Sequence, residues 1–303
     1  MMWFSTLYTI FSIIWYSVKG MFIKTFKVFF VGETKVHQLT NGNKKAILLF
    51  HGVSGTGDSG YIKYVAHKLK NKYDLFAPDY GSSDSHLYAT YLPTEIDPIY
   101  TRDVLALYNN IKQKYDQVSI IGFSAGGAAA LQFLKQLKDD DIKILSSTFF
   151  VSPAFKLKEG FLHLEKVLFL VRWIMKFDFW KKHFLRINRK QGFLTAVKFW
   201  FSCRTFEDVF SYFVNPPTYP ILNPNPIDEL NTKFVLLHPD DDPIVQMEQT
   251  LSFMGFRNYT RINQLTGGHV GFNSLDRCVK FYENEENILV DEIWDPTKLI
   301  PDQ

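Results

Sequence analysis

The sequence predicts an α/β protein in which a mainly parallel sheet carries helices on both faces. Short apolar runs alternate with amphipathic segments between residues 46 and 151, as in parallel strands joined by crossover helices. The runs at residues 46–50 and 234–237 are apolar throughout, which is typical of strands buried on both faces. At 303 residues, with 46% hydrophobic and 21% charged residues, the chain can bury one large core or two modest ones.

The elements follow one another along the chain. A strand is predicted over residues 33–40, and Asn41-Gly42-Asn43 after it indicates a hairpin turn. Further strands are predicted over residues 46–50, 75–78, 118–121, 142–151, 234–237 and 259–264. Helices are predicted over residues 61–70, 102–115, 127–137 and 246–256.

The N-terminal segment predicts a hydrophobic anchor helix within residues 1–30. Residues 1–18 carry no charge, and Lys19, Lys24 and Lys27 follow. A helix of this length covers about 27 Å, slightly less than a usual hydrocarbon core. Because a basic start and a small-residue cleavage site are both missing, an uncleaved anchor is favoured over a secretory signal. A spanning helix, an interfacial helix and a buried or partner-binding helix all remain open; if it spans, the lysines favour a cytoplasmic or matrix-facing C-terminal side.

Residues 154–215 interrupt the alternation with a helical pattern alone. Between residues 156 and 204 there are twelve basic and three acidic residues, a net charge of +9, interleaved with Phe and Trp. Basic and aromatic residues on amphipathic helices suit an anionic membrane surface, and we interpret the segment as a helical lid. No recognisable RNA-binding module accompanies it, so nucleic acid is not an expected partner. The lid divides the core into residues 31–153 and 216–303.

A candidate nucleophile stands between a strand and a helix. Gly122-Phe123-Ser124-Ala125-Gly126 spells G-x-S-x-G, in which small neighbours permit a strained turn that lifts the serine hydroxyl clear of the sheet. The amide of Ala125 then lies at a helix N-terminus, where it can stabilise an oxyanion. A five-residue pattern also arises by chance, so further residues must support it.

A second loop predicts the other half of an oxyanion hole. His51-Gly52-Val53-Ser54-Gly55 directly follows the buried strand 46–50, where open parallel sheets place ligand-contacting loops. We expect the Val53 amide to be the second donor, with His51 and Gly52 supporting the loop. A phosphate cradle is disfavoured because the lysine and hydroxyl of a P-loop are missing.

An acid and a histidine complete the constellation. Asp240-Asp241-Asp242 follows the predicted strand 234–237, and His269 stands in a glycine-rich loop after strand 259–264. A serine nucleophile needs a base to take its proton and a carboxylate to orient that base. The three aspartates could instead hold a divalent cation, but no further carboxylates stand at matching spacing. Cys203 and Cys278 indicate neither a disulfide nor a zinc site, and no cofactor or metal is expected.

The motifs together resemble one subgroup of the α/β-hydrolase superfamily, the YheT and monoacylglycerol-lipase-like proteins. The resemblance extends from His51 to Phe272 and rests on these segments: His51-Gly52-x-x-Gly55 with Asp58-Ser59-x-Tyr61, Gly122-Phe123-Ser124-Ala125-Gly126-Gly127, Thr205-Phe206-Glu207-Asp208-x-Phe210, Asp241-Asp242-Pro243 and Gly267-Gly268-His269-Val270-Gly271-Phe272. It implies an α/β-hydrolase fold with Ser124, Asp242 and His269 as the triad. Asp242 is chosen because the residues after it resemble the D-x-[IV]-V that follows the triad acid in many such enzymes, and Asp241 is the second choice.

The chain also departs from the subgroup. Asp79-Tyr80-Gly81 stands where an arginine-glycine pair is usual, the region before His51 is short, and the long final helix after Phe272 is expected to be missing.

The resemblance implies a serine hydrolase that cleaves lipid or other hydrophobic carboxylic esters through an acyl-enzyme, and the N-terminal segment adds the expectation that it is membrane-associated. Two alternatives stand beside it. The first is an alcohol acyltransferase that uses the same triad, although no H-x-x-x-x-D motif supports it. The second is an idle α/β-hydrolase that serves as an accessory subunit of a membrane protein complex. An intracellular membrane is the expected location, and the endoplasmic reticulum and the mitochondrion are both open.

Overall fold

The computed structural model describes most of the predicted core and the N-terminal helix. The described residues are 2–23, 26–52, 56–82, 98–134, 136–138, 141, 144–153, 233–243, 245, 259–262 and 266–287. Three predictions lie outside them: the lid over residues 154–215, the helix over residues 246–256 and the oxyanion donor Val53.

The described strands form one eight-stranded sheet with the order β1-β2-β4-β3-β5-β6-β7-β8. The strands are β1 (Lys27–Val31), β2 (Thr34–Leu39), β3 (Lys45–Phe50), β4 (Asp74–Ser82), β5 (Gln117–Phe123), β6 (Leu145–Val151), β7 (Lys233–Leu237) and β8 (Tyr259–Ile262). The β1–β2 and β2–β4 pairs are antiparallel, and the other five neighbouring pairs are parallel. The predicted mainly parallel sheet is therefore confirmed.

Helices cover both faces of this sheet, as predicted. They are α1 (Met2–Phe22), α2 (Gly60–Leu69), α3 (Pro98–Lys112), α4 (Ala125–Leu134) and α5 (Phe272–Glu283). Consecutive residues of β3 belong to the two hydrophobic cores, one on each face of the sheet. Leu48 packs in the core that includes α3 and α4, and Ile47 packs in the core that includes α1, α2 and α5. Each fully buried side chain of this size contributes roughly 1.5–3 kcal/mol.

The predicted hairpin after β2 is wrong. β2 pairs with β4, and β3 lies on the far side of β4, so the turn at Asn41 to Asn43 joins strands that are not neighbours. The Asn43 amide group instead donates to Asp74 Oδ1 (2.8 Å) and to the carbonyl of Lys70 (3.0 Å). Asparagine and glycine favour a tight turn without specifying which strands it joins. The actual hairpin joins β1 to β2, with Gly32 at φ 58° in its turn.

A helix follows Phe272, contrary to the expectation from the subgroup. Helix α5 has twelve residues and buries one apolar face, including Leu275, Phe281 and Tyr282, against the sheet. Cys278 lies on this face as a buried free thiol. Its burial raises the pKa of the Cys278 thiol.

Helix α1 packs on the body of the molecule with an unusual distribution of polarity. Its buried face is small or polar and consists of Ser5, Thr9, Ser12, Tyr16 and Gly20. Apart from Lys19, the exposed side chains that the structure describes on this helix are apolar: Leu7, Phe11, Ile14, Trp15, Val18 and Phe22. A methyl group at Gly20 would lie 2.6 Å from the Cα atom of Gly60, so α1 and α2 approach very closely. Within the part of the chain that the structure describes, no helix is long and apolar enough to cross a membrane.

Candidate active site

The nucleophile turn is built as the spacing of its glycines predicts. Ser124 follows β5, adopts φ 52° and is followed at once by α4. A methyl group at Gly126 would lie 2.1 Å from the carbonyl oxygen of Phe50, and one at Gly122 would lie 2.7 Å from the Cα atom of Gly127. Side chains at either position would collide with backbone. The amide of Ser124 donates to the carbonyl of Val151 (2.9 Å), which ties the turn to β6.

Ser124, His269 and Asp242 form a continuous chain of hydrogen bonds. The Ser124 hydroxyl lies 2.8 Å from His269 Nε2, and His269 Nδ1 lies 2.8 Å from Asp242 Oδ2. All three residues are buried. Because a carboxylate only accepts, Nδ1 carries the proton and Nε2 is free to accept the proton of the serine hydroxyl. This is the arrangement of a nucleophile, a base and an orienting acid.

The environment of Asp242 keeps it ionised. Burial by itself would raise the pKa of Asp242, but the neighbouring His269 and hydrogen bonds hold this pKa below its usual value. The other carboxylate oxygen, Oδ1, accepts from the amide of Val245 at 3.0 Å. The buried His238 lies 3.8 Å from Asp242 Oδ2 and contacts the carbonyl of Val245 at 2.9 Å. The site therefore holds a charged carboxylate against the imidazole.

Asp241, the second choice for the acid, has a different place in the structure. Its Oδ1 atom accepts from the amides of Gly267 and Gly268, both at 2.8 Å. Asp241 therefore holds the loop that carries His269, while Asp242 contacts the imidazole itself. The adjacent carboxylates thus bind different groups.

The histidine loop, residues 267–271, has an unusual backbone. Gly267, Gly268 and Val270 have φ values of 159°, 61° and 50°. The amide of His269 donates to Thr9 Oγ1 (2.9 Å), and that of Val270 donates to Ser152 Oγ (3.3 Å). With the two bonds to Asp241, the amides of residues 267–270 all donate to side chains from other parts of the chain.

One predicted oxyanion donor is placed beside the nucleophile. Ala125 is the first residue of α4, so its amide has no carbonyl partner within the helix. On the opposite side, a methyl group at Gly52 would lie 3.2 Å from Ser124 Cβ, which brings the start of the second loop next to the serine. The Gly52 amide donates to the Tyr61 hydroxyl (2.7 Å), and His51 Nδ1 lies 2.9 Å from the Gly52 carbonyl. The sequence motif that contains Tyr61 did not indicate that its hydroxyl would hold this loop.

A buried pair missed by the sequence reasoning holds the far end of the same loop. Asp79 Oδ1 accepts from the Gly57 amide (2.5 Å), and Asp79 Oδ2 lies 3.1 Å from His37 Nε2. Burial alone would raise the pKa of Asp79, but the bonds from His37 and Gly57 hold this pKa below its usual value. The sequence did offer one indication of this pair. Asp79 stands where the subgroup usually has an arginine-glycine pair, and a buried carboxylate at that position needs a hydrogen-bond donor.

Comparison with known proteins identifies the family. Residues 47–280 match the model of the alpha/beta hydrolase family, and this chain belongs to that family. The chain is also similar to the monoacylglycerol lipase of Saccharomyces cerevisiae, with 21% identity over 257 residues. The match covers 76% of this chain and 55% of the yeast protein, so the chain spans about half the length of that relative.

Solved structures share the fold. An esterase of Pyrococcus furiosus has a TM-score of 0.56 at 16% identity, covering 86% of this chain and 91% of its own. The naproxen esterase of Bacillus subtilis has a TM-score of 0.52 at 13% identity, covering 91% and 96%. Est1E of Butyrivibrio proteoclasticus, with bound ferulic acid, has a TM-score of 0.52 at 14% identity, covering 86% and 98%. At these identities the likeness concerns the fold alone.

Proposed function

We propose that this protein is a serine hydrolase that cleaves lipid or other hydrophobic carboxylic esters at a membrane surface. The observation that carries the proposal is the pair of 2.8 Å contacts that link Ser124 to His269 and His269 to Asp242. The similarity to a yeast monoacylglycerol lipase supports a hydrophobic ester as the substrate class.

The proposed reaction proceeds through an acyl-enzyme. As Ser124 Oγ attacks the ester carbonyl carbon, His269 Nε2 takes the hydroxyl proton, and the amide of Ala125 stabilises the oxyanion. The tetrahedral intermediate collapses, the bond to the alcohol breaks, and the imidazolium gives its proton to the leaving oxygen. Water then attacks the acyl-enzyme with His269 as base, which releases the carboxylic acid and restores Ser124. Asp242 holds the imidazole in position and stabilises its positive charge.

Hydrolysis of an ester series tests this proposal. Purified wild-type protein and the Ser124→Ala variant are assayed on p-nitrophenyl esters of increasing acyl length and on a monoacylglycerol. We expect wild-type turnover with the longer esters and a fall in kcat on the order of 10⁴–10⁶ in the variant, whose unfolding curve should remain cooperative. Unchanged turnover in Ser124→Ala would reject the proposal. Added alcohol separates hydrolysis from acyl transfer, because hydrolysis yields free acid rather than a new ester.

The membrane part of the proposal rests on the exposed face of α1. Phe11 and Leu7 are 61% and 59% exposed, and Phe22 is 84% exposed. The helix carries no acidic residue, and Lys19 Nζ lies 5.2 Å from the centre of the Trp15 ring near its C-terminal end. Tryptophan and lysine beside an apolar stripe are typical of a helix that lies in the lipid interface. The net charge of +9 over residues 156–204 favours anionic lipid.

Flotation with lipid vesicles tests this part. Wild-type protein should float with phosphatidylcholine vesicles that contain phosphatidylserine. A Leu7→Ser, Phe22→Ser double variant, which changes two side chains that are 59% and 84% exposed, should bind much more weakly while it still unfolds cooperatively. Equal flotation of both proteins would contradict a docking role for this face. If the same double substitution instead converts a dimer to a monomer in light scattering, the face joins two copies and the bilayer proposal fails.

A further inference from the structure

The inner face of α1 lies directly against the loop that carries His269. The His269 amide donates to Thr9 Oγ1 at 2.9 Å, and this contact is buried and joins residues 260 positions apart. A methyl group at Gly268 would lie 2.4 Å from Thr9 Oγ1 and 3.0 Å from the Ser5 carbonyl, and one at Gly271 would lie 2.7 Å from Tyr8 Cε1. The histidine loop is therefore in contact with Ser5, Tyr8 and Thr9 of the helix.

Aromatic contacts extend this attachment beyond one hydrogen bond. The Tyr16 ring centre lies 4.9 Å from that of Phe272, the first residue of α5, and 5.0 Å from that of Tyr64 on α2. The Tyr8 ring also contacts Phe272 edge to face, with its centre 5.7 Å from that of Phe272. These contacts hold α1 both before and after Thr9 in the sequence, and they therefore fix the position of the Thr9 hydroxyl.

The histidine loop needs such support because its backbone is strained. Positive φ at Val270 is unfavourable for a β-branched residue and persists only where surrounding contacts enforce it. Asp241 holds the two glycine amides and Ser152 holds Val270, but the bond to the histidine residue itself comes from Thr9. Without it, the His269 amide would be buried with no acceptor from α1.

We propose that Thr9 is a positioning residue for His269 and that α1 is thereby a working part of the active site as well as a membrane-docking element. The inference rests on the proposed function to the extent that its kinetic test needs turnover. Displacement of the imidazole by about 1 Å is enough to reduce catalysis by up to a hundredfold. Thr9 acts through the loop and does not contact the substrate.

Variants of the full chain test this inference. Thr9→Val removes the acceptor and keeps the shape, Thr9→Ser keeps the acceptor, and Ser12→Ala is a matched control. Ser12 lies on the same buried face, and its hydroxyl has no hydrogen-bond partner among the described residues. We expect Thr9→Val to lower kcat about 10- to 100-fold at unchanged KM, Thr9→Ser to restore most of it, and Ser12→Ala to match the wild type. Equal kcat in Thr9→Val and the wild type would overturn the proposal.

Hydrogen–deuterium exchange gives a readout that does not depend on turnover. Thr9→Val should accelerate exchange in the peptide that contains residues 266–272, and Thr9→Ser and Ser12→Ala should leave it slow. If the wild type does not hydrolyse esters, the proposed function fails. The difference in exchange would still show whether Thr9 holds the histidine loop. If Thr9→Val does not fold, Thr9→Ala is measured in its place. Uniform exchange in all folded variants would overturn the proposed role of Thr9.

Discussion

The nucleophile turn and the histidine loop are held in place by different means. The turn at Ser124 is constrained by close backbone packing: Gly122 lies against Gly127, and Gly126 lies against the carbonyls of Phe50 and His51 at the end of β3, so neither has room for a side chain. The loop at His269 depends on distant side chains, since its amides donate to Asp241, Ser152 and Thr9. A close backbone contact is lost completely when a side chain is introduced, whereas a loop held by several separate hydrogen bonds loses them one at a time. Substitutions in the two regions should therefore have different kinds of effect.

Gly126→Ala should give the largest effect because it breaks the turn. In an ordinary helix this change is favourable by about 1 kcal/mol. Here the new methyl group would lie 2.1 Å from the carbonyl oxygen of Phe50 and 2.5 Å from that of His51. We expect a loss of about 3 kcal/mol in the free energy of unfolding, measured with urea, together with loss of turnover.

Gly42→Ala provides the control for this first prediction. Gly42 also has a positive φ, 78°, but nothing lies within 4 Å of the added methyl group. It should cost less stability and leave turnover unchanged. A Gly126→Ala variant as stable and active as the wild type would show that the turn is not constrained by this contact.

Asp241→Ala should have an intermediate effect on catalysis. It removes the acceptor of two loop amides, and bonds to a carboxylate are roughly twice as strong as neutral ones. We expect kcat to fall about 10- to 100-fold while KM stays within about twofold. Asp241→Asn keeps an acceptor oxygen and should recover part of the loss. The opposite ranking of the two variants in steady-state kinetics would contradict this role.

Ser152→Ala should have the smallest effect. Its bond to the Val270 amide is long, at 3.3 Å, and the other loop bonds remain. We expect kcat to fall by less than about threefold, since a long neutral bond contributes on the order of 0.5 kcal/mol. A fall as large as that of Asp241→Ala would show that the loop fails as a unit, like the nucleophile turn.

The sequence predicted those parts of the fold that local pattern determines. The buried strands were predicted over residues 46–50, 118–121 and 234–237, the first of them from a continuous apolar run, and the glycine spacing around Ser124 predicted its turn. The hairpin after β2 was wrong because turn residues do not specify which strands become neighbours. Helix α5 was missed because an expectation taken from the subgroup outweighed the helical spacing of its apolar residues.

The hydrogen bonds that hold the active-site loops could not be predicted either, because they join residues that are far apart in the sequence. Thr9 and His269 are 260 residues apart, and nothing in either motif indicates the other. The apolar residues of α1 suggested an anchor, but only the fold shows that Ser5, Thr9 and Ser12 are buried while Leu7, Phe11 and other apolar residues are exposed. Adjacent aspartates are likewise equivalent in sequence, and their separate contacts follow from the direction of each side chain.

Labelling with a fluorophosphonate probe shows whether Ser124 is an activated nucleophile. The probe reacts with a serine that is activated by its base and flanked by an oxyanion hole. Wild type, Ser124→Ala and His269→Ala are compared in detergent, and the modified peptide is identified by its mass. The proposed triad predicts modification of Ser124 in the wild type, none in Ser124→Ala and little in His269→Ala. A folded wild-type protein that is not labelled at Ser124 would contradict the proposed activity and favour an idle accessory subunit.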